Sequence, residues 1–104
     1  SGWGNVWRNN RADRYTTIAF GFRMKDRELT LPSKDTSTHY SIVTNNVATN
    51  PKGSTAYGLG IGAIAGSTFS GNRLGRVVLG KYLKGYWAKQ GNTWNGTTRP
   101  PSNS

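Results

Sequence analysis

Few residues of this chain are able to perform acid–base or nucleophilic chemistry. His39 is the single histidine among 104 residues, and there is no cysteine. Ser41, His39 and Asp35 form a serine triad on paper, and His39 with Glu28 and an arginine would form a ribonuclease centre. No G-x-S-x-G turn accompanies the serine, and the four carboxylates lie among basic neighbours. We therefore expect a protein that is not an enzyme and has no cofactor and no metal site.

Basic and aromatic residues alternate near the C-terminus and form the main candidate binding site. The chain has 14 Lys and Arg against four Asp and Glu, a formal net charge of +10. Cations neutralise phosphates, and aromatic rings stack on bases or sugars. The predicted cations are Arg73, Arg76, Lys81 and Lys84. The predicted stacking residues are Tyr82, Tyr86, Trp87 and Trp94. A second basic and aromatic group comprises Trp3, Trp7, Arg8, Arg11 and Arg14.

Three kinds of anionic partner fit this composition: nucleic acid, an acidic membrane surface, and the phosphorylated sugars of a bacterial envelope. A further interpretation is that the charge only keeps the chain soluble. No RNA-recognition octapeptide or Cys/His finger is present, and the many Thr, Asn and Trp residues are typical of carbohydrate binding. We favour a non-enzymatic module that recognises an anionic or glycan-bearing cell surface. The alternatives are a secreted antibacterial protein whose residues 56–69 perturb a membrane, and a nucleic-acid-binding domain or small ribonuclease toxin.

Glycine alternates with larger residues from Tyr57 to Ala63. On a strand, Gly58, Gly60 and Gly62 leave one face bare, which permits close approach of another backbone. Because three glycines cost backbone entropy, we expect a second chain to pack there, in a homo-oligomer with a trimer favoured. Residues 60–65 also match a loose G-x-G-x-x-A dinucleotide-binding fingerprint, but the acidic residue that this motif requires about 20 positions later is absent. The other alternative is a membrane helix, on which glycines four residues apart would pack against a second helix.

Period-two alternation predicts a small antiparallel β domain. The clearest predicted strand covers residues 14–24, in which large apolar residues alternate with small or polar ones from Thr17 to Met24. A charged turn at residues 25–28 precedes a returning strand at residues 29–31. Further strands are predicted at residues 38–44, 57–65 and 74–83, and no internal repeat is evident. The expected organisation is one β-rich domain over residues 1–90, with an irregular aromatic segment near its end and a turn-rich tail over residues 91–104. Because apolar residues are few, we expect an oligomer, with intertwined chains as one arrangement, to complete the core.

Thr98, Arg99, Pro100 and Asn103 form a T-R-P-x-x-N stretch. This stretch resembles one near the end of many bacteriophage tail-fibre and tail-collar proteins. The family's last hydrophobic strand does not follow it, and residues 74–80 match the family's D-L-R-G-R segment without its aspartate. The resemblance implies a trimeric, β-rich tip on a virion or in the extracellular space. Such a tip binds a bacterial surface glycan or outer-membrane receptor, and the resemblance assigns no catalytic residue.

Overall fold

A computed structural model describes residues 4–22, 38–61, 64–79 and 87–100 of the chain. The described chain is mostly β, with short strands and one 3-10 helix at Ala88–Gln90. The strands are β1 (Val6–Arg8), β2 (Arg11–Asp13), β3 (Ile18–Phe22), β4 (Thr38–His39), β5 (Ile42–Thr44), β6 (Val47–Thr49), β7 (Tyr57–Ile61), β8 (Ile64–Ala65), β9 (Thr68–Ser70), β10 (Val77–Leu79) and β11 (Thr93–Trp94).

These strands pair in parallel, and each pairs with a strand that the chain reaches after one full circuit around the molecule. The sheets have the orders β1-β5-β9-β11, β10-β7-β3, β2-β6 and β4-β8. Hydrogen-bonded partners lie 36 residues apart between Asn10 and Asn46, and 26 apart between Asn46 and Asn72. Successive coils of the chain therefore stack on one another. This arrangement is a parallel β-solenoid, in which each coil pairs its strands with those of the adjacent coils.

We number the coils by the strands of the largest sheet: coil 1 contains β1 to β3, coil 2 contains β5 to β7, coil 3 contains β9 and β10, and coil 4 contains β11. The strands β4 and β8 lead into coils 2 and 3 and pair with each other. In the largest sheet, one inward position of each strand carries an apolar residue in register. These residues are Trp7, Val43, Phe69 and Trp94.

The core lies inside the coils. Phe69 is fully buried at its centre, with its ring contacting Phe22 at 6.0 Å, Trp87 at 5.8 Å and Trp94 at 5.3 Å between centroids. The other buried apolar residues of this cluster are Val43, Leu59, Ile61, Ile64, Leu74, Val77 and Leu79. Stacking therefore gives a single chain a continuous buried interior, although each coil alone has few apolar residues.

The coils turn at residues that adopt the left-handed backbone region. Asn45 has a φ of 55° and Gly71 has a φ of 63° at the same corner of coils 2 and 3. Tyr40 and Gly66 occupy a second corner, with φ values of 52° and 60°. Asn and Gly are the residues that tolerate this region best, so their distribution along the sequence sets where the coils bend.

The prediction of an antiparallel domain is wrong, because the strand pairs of the described residues are parallel. Period-two alternation shows which face of a strand is buried, and it does not specify the direction of the neighbouring strand. Of the strand predicted over residues 14–24, the described part that forms a strand is Ile18–Phe22, and residues 23 and 24 lie outside the described residues. Tyr40 divides the strand predicted over residues 38–44. The proposed hairpin at residues 25–31 lies outside the described residues.

The remaining strand predictions also change in extent. Residues 57–65 form two strands, Tyr57–Ile61 and Ile64–Ala65, and the strand predicted over residues 74–83 is described only at Val77–Leu79. The C-terminal segment contains a strand that the sequence did not indicate, since Thr93–Trp94 pairs with β9. This strand therefore adds to the largest sheet, and the domain boundary at residue 91 stays a prediction.

Candidate functional site

The outer surface of β2 and β6 carries a short column that contains two arginines. Arg11 pairs in register with Val47, and Val47 forms a parallel bridge with Arg73 on the other side. The next residue on each strand points inward, since Ala48 packs against the core and Leu74 is buried. Arg11 and Arg73 are both exposed. We call Arg11, Val47 and Arg73 the arginine column, and its two arginine α-carbons are about 10 Å apart, two strand spacings.

Cations dominate the surface around this column. Arg8 is exposed on β1, Arg14 is exposed at the end of β2, and Arg76 is exposed in the coil-3 loop that precedes β10. Arg76 donates a hydrogen bond from Nη1 to the Ser54 carbonyl at 3.4 Å. Asp13 is the only carboxylate among the described residues. Among the described residues, Asp13 accepts hydrogen bonds from Thr49 and Asn50, and the Arg11 charge lies near it.

Asp13 is held by the coil above it. Its Oδ1 accepts a hydrogen bond from Asn50 Nδ2 at 2.7 Å and from Thr49 Oγ1 at 2.8 Å. These two bonds, with the Asn50 bond the larger effect, lower the pKa of the Asp13 carboxyl below its ordinary value of 3.8, and the nearby Arg11 charge adds to the shift. Asp13 therefore stays ionised at neutral pH and joins coils 1 and 2 at the edge of the arginine column.

A polar strip lies beside the column on the largest sheet. Arg8, Thr44 and Ser70 occupy one outward position of β1, β5 and β9, in register. The hydroxyl groups of Thr44 and Ser70 are 3.2 Å apart and share a hydrogen bond. Hydroxyl groups next to guanidinium groups are a chemical combination that suits phosphate and sugar oxygens. The polar strip and the arginine column together form the best candidate site in the described chain.

The structure brings only part of the predicted binding set to the surface. Arg73 and Arg76 are exposed in coil 3. Trp87 is 1% exposed in the core and its Nε1 has no hydrogen-bond partner among the described residues, so its ring offers no face to a ligand. Trp94 is half-buried and stacks on Phe69 at an interplanar angle of 26°, which gives it a packing role. The other predicted residues, Lys81, Tyr82, Lys84 and Tyr86, lie outside the described residues.

The close approach expected at the glycines occurs within the chain. Gly58 is buried, its N–H donates to the Arg76 carbonyl at 2.8 Å, and a Cβ there would collide with the Leu74 carbonyl. Gly60 lies beneath the Tyr57 ring, with 3.0 Å from an added Cβ to Tyr57 Cε2. Gly62 lies outside the described residues. The missing side chain of Gly58 therefore allows coils 2 and 3 of one chain to pack closely. The homo-oligomer stays a prediction, and the close packing at Gly58 does not support it.

Sequence reasoning mentioned Arg11 but gave the site to residues 73–94. The signal that joins Arg11 to Arg73 is a repeated pair at each corner, an Asn or Gly in the left-handed region followed by Asn: Asn9-Asn10, Asn45-Asn46 and Gly71-Asn72. Aligning these pairs places Arg11, Val47 and Arg73 at equivalent positions, one residue after each second Asn. The first spacing of 36 residues differs from the second of 26, which conceals the repeat from a search at a fixed period.

An apolar cleft of about 240 Å³ is lined by residues of coils 1, 2 and 3. Trp7, Phe20, Leu59 and Leu74 contribute to its lining, and Asn46 is its polar member. No group of three or more His, Cys, Asp or Glu residues that could hold a metal ion occurs in residues 4–22, 38–61, 64–79 and 87–100. Over the same ranges, none of the helical structure is long and apolar enough to cross a membrane.

The side chains needed for the serine triad and for the ribonuclease centre are not brought together among the described residues. The backbone of His39 pairs with Ala65, and its side chain is outside the described part of the chain. Ser41 is buried, with its N–H donating to Ser67 Oγ at 3.0 Å, so it lies within the ladder between coils. In comparisons with known proteins, no family model, no curated protein and no solved structure matches this chain. A proposal about function therefore rests on the fold and the candidate site.

Proposed function

We propose that this chain is a non-enzymatic recognition module that binds an anionic, glycan-bearing surface through the arginine column. The observation that carries this proposal is the pairing of Arg11 and Arg73 on both sides of Val47, exposed and without an ion pair among the described residues. A parallel stack presents equivalent positions at a constant spacing of about 4.8 Å per coil. Such a row suits a ligand that repeats its own charge, as an anionic polysaccharide does.

The fold adds rigidity to this surface. Each arginine backbone is fixed by pairing between coils, so little ordering of the chain opposes binding. The hydroxyls of Thr44 and Ser70 beside the column are acceptors and donors for sugar oxygens. An exposed cation contributes modestly by itself, and affinity then depends on several contacts to one polymer. A bacterial surface glycan of a host cell, contacted by a virion or extracellular protein, fits this mode of binding.

The membrane-active alternative has less support. Residues 56–69 were its candidate segment, and Leu59, Ile61 and Ile64 within it are buried in the solenoid core at 2% exposure or less. Release of this segment into a bilayer would require the coils to separate. The nucleic-acid alternative shares the arginine chemistry of the proposal and is separated from it by experiment.

The test measures binding to a phosphorylated mannan and to the same mannan without phosphate, by biolayer interferometry at low ionic strength. The variants are Arg11→Gln, Arg73→Gln and the double variant. Arg99→Gln is the matched control, because it removes one exposed cation beyond β11. We expect binding to require phosphate and to weaken about threefold in each single variant and about tenfold in the double variant. The control should change affinity by less than twofold.

Equal weakening by Arg99→Gln and Arg73→Gln would show that net charge alone drives binding and would overturn the assigned site. A single-stranded RNA of matched charge is the second probe. If it bound more tightly than the phosphorylated mannan, with the same dependence on Arg11 and Arg73, the ligand class would be nucleic acid. Dye leakage from anionic vesicles at the same protein concentration would instead support membrane activity.

A further inference from the structure

Among the described residues, β1 is an open edge strand of the largest sheet. β1 pairs with β5 on one side and with no strand of the described chain on the other. The Asn5 carbonyl accepts from Ile42 N–H at 2.9 Å, and Asn9 N–H donates to the Thr44 carbonyl at 3.2 Å. Because alternate residues of a strand direct their backbone groups to opposite sides, the N–H and C=O groups of Val6 and Arg8 face the open side. This edge is accessible, since Val6 is 57% exposed.

An asparagine ladder shows how each coil holds the coil before it. Asn72 Oδ1 accepts from both the N–H and the Nδ2 of Asn46, each at 2.9 Å, and Asn72 Nδ2 donates to the Val43 carbonyl at 2.9 Å. Asn46 repeats this pattern one coil earlier. Its Oδ1 accepts from Asn10 N–H at 3.1 Å and Asn10 Nδ2 at 2.9 Å, and its Nδ2 donates to the Trp7 carbonyl at 3.0 Å.

Asn10 is the first Asn of this ladder in the described chain. Its Oδ1 and one of its Nδ2 hydrogens, which would face a preceding coil, have no hydrogen-bond partner among the described residues. Its N–H and one Nδ2 hydrogen serve Asn46. In Asn46 and Asn72 the Oδ1 atom and the other Nδ2 hydrogen engage the preceding coil. Asn10 has no such partner among the described residues. The open edge thus presents a row of backbone groups together with an amide in a fixed register.

At the other edge of the largest sheet, a tight turn covers β11. Thr97 stands at the ladder position of coil 4, and it forms an antiparallel bridge with Trp94. Trp94 N–H donates to the Thr97 carbonyl at 2.6 Å, and Thr97 N–H donates back at 2.9 Å. The outward backbone groups of Trp94 are therefore bonded within the described chain, whereas β1 has no such turn among the described residues.

Charge determines which occupant the open edge favours. Arg8 and Arg11 are exposed on coil 1, and the only described carboxylate, Asp13, is engaged by Thr49 and Asn50. A second copy meeting the first edge to edge would place arginines against arginines, which is unfavourable for neighbouring strands. An acidic strand would neutralise the same arginines.

We propose that the open edge of coil 1 binds an extended acidic strand of a partner polypeptide. The strand runs parallel to β1, accepts from the N–H groups and donates to the carbonyls of Val6 and Arg8, and places an asparagine opposite Asn10. Carboxylates at the positions in register with Arg8 and Arg11 neutralise these cations, and an apolar side chain covers Trp7, which is 47% exposed. This is strand addition with a register fixed by one amide.

The probe is a fluorescein-labelled peptide that copies residues 41–50, with glutamate at the positions of Thr44 and Val47. In the fold these positions are in register with Arg8 and Arg11. A scrambled peptide and a peptide with alanine at the position of Asn46 are the peptide controls. We expect the acidic probe to bind in a fluorescence anisotropy titration, the alanine peptide to bind about fivefold more weakly, and the scrambled peptide not to bind.

Two protein variants locate the binding to the edge. Val6→Pro removes an outward N–H without removing a bond between coils, and Val6→Thr keeps that N–H on a β-branched residue. Val6→Pro should weaken the probe about tenfold, whereas Val6→Thr should bind as the wild type does. Equal binding of the scrambled peptide, or unchanged binding by a folded Val6→Pro variant, would overturn the proposal. Concentration-dependent dimers in sedimentation without peptide, lost in Val6→Pro, would assign the edge to a second copy instead.

Discussion

Asn72 Oδ1 accepts two hydrogen bonds from Asn46, one from the backbone N–H and one from Nδ2, both 2.9 Å long. The same geometry relates Asn46 to Asn10, so one residue type at one corner registers three coils. Asn46 is 2% exposed, which means that water cannot replace these bonds. The ladder therefore specifies the alignment of the coils that carry the arginine column.

Replacement of Asn46 by alanine should destabilise the fold strongly. The change leaves Asn10 N–H and Asn10 Nδ2 without the Asn46 Oδ1 acceptor, and it removes the Nδ2 bonds to the Trp7 carbonyl and to Asn72 Oδ1. We expect a loss of about 3 kcal/mol in the free energy of unfolding, measured by urea denaturation. Asn5→Ala is the matched control, because Asn5 is exposed and should change stability by less than about 0.5 kcal/mol. A loss below about 1 kcal/mol in Asn46→Ala would contradict the role of the ladder.

Gly58 and Gly21 provide a matched pair of strand glycines in neighbouring coils. A Cβ at Gly58 would collide with the Leu74 backbone, whereas a Cβ at Gly21 would meet only Ile18 Cγ2 at 3.8 Å, an ordinary contact. Gly58→Ala should therefore cost about 3 kcal/mol or more, since backbone must move between coils 2 and 3. Gly21→Ala should change stability by less than about 1 kcal/mol.

The measurement for this pair is thermal unfolding followed by circular dichroism, combined with sedimentation of both variants. If Gly58 served an interface between chains instead, Gly58→Ala would change the sedimentation coefficient while leaving the melting temperature of the single chain nearly unaffected. That outcome would restore the oligomer interpretation of the alternating glycines and would contradict the packing described above.

Asp13 should make the contact between coils 1 and 2 sensitive to acid. Hydrogen bonds from Asn50 and Thr49 lower the pKa of Asp13 in the folded chain below 3.8. Because the folded pKa is lower than the unfolded one, the stabilisation is present above about pH 4 and is lost as the pH falls through the folded pKa. Asp13→Asn should remove this dependence of stability on pH. In the wild type, NMR titration of the Asp13 carboxyl measures its pKa in the folded chain. A titration midpoint at or above 3.8, unchanged in Asn50→Ala, would disagree with the described bonds.

The alternation of residues 18–22 and 57–61 was sufficient to predict strands there and a mostly β fold. The alternation was not sufficient to predict which strand pairs with which. The paired residues Ile18 of β3 and Tyr57 of β7 are 39 positions apart in the sequence, and the chain between them turns at several corners. Strand direction depends on where the chain turns. In this fold that information resides in corner residues such as Asn45 and Gly71, whose left-handed conformation is visible only in the structure.

The sequence suggested the chemistry of the candidate site, and the structure supplied the positions of its side chains. An excess of arginine over carboxylate indicated an anionic ligand, and Arg73 is exposed as the prediction requires. Proximity of basic and aromatic residues along the chain suggested Trp87 as a stacking residue, although its large apolar ring is placed in the core. A tryptophan fits either environment equally well by type, so burial must be known before a binding role is assigned to it.

The final coil should contribute to the stability of the whole domain. Asn92 is fully buried, with Oδ1 accepting from Ser67 N–H at 3.1 Å and Nδ2 donating to the Ile64 carbonyl at 2.9 Å. Trp94 covers Phe69 two residues later, with ring centroids 5.3 Å apart. We expect Asn92→Ala and Trp94→Ala each to lower the free energy of unfolding by about 2 kcal/mol in urea denaturation.

Thr98→Ala serves as the control for this coil, because Thr98 is exposed beyond the Trp94–Thr97 turn and should change stability by less than about 0.5 kcal/mol. Deletion of residues 92–104 should have the largest effect, since it uncovers the Phe69 ring and leaves the Ser67 N–H and the Ile64 carbonyl without partners. A deletion variant as stable as the full chain would instead support an independent tail over residues 91–104, as the composition of that segment suggests.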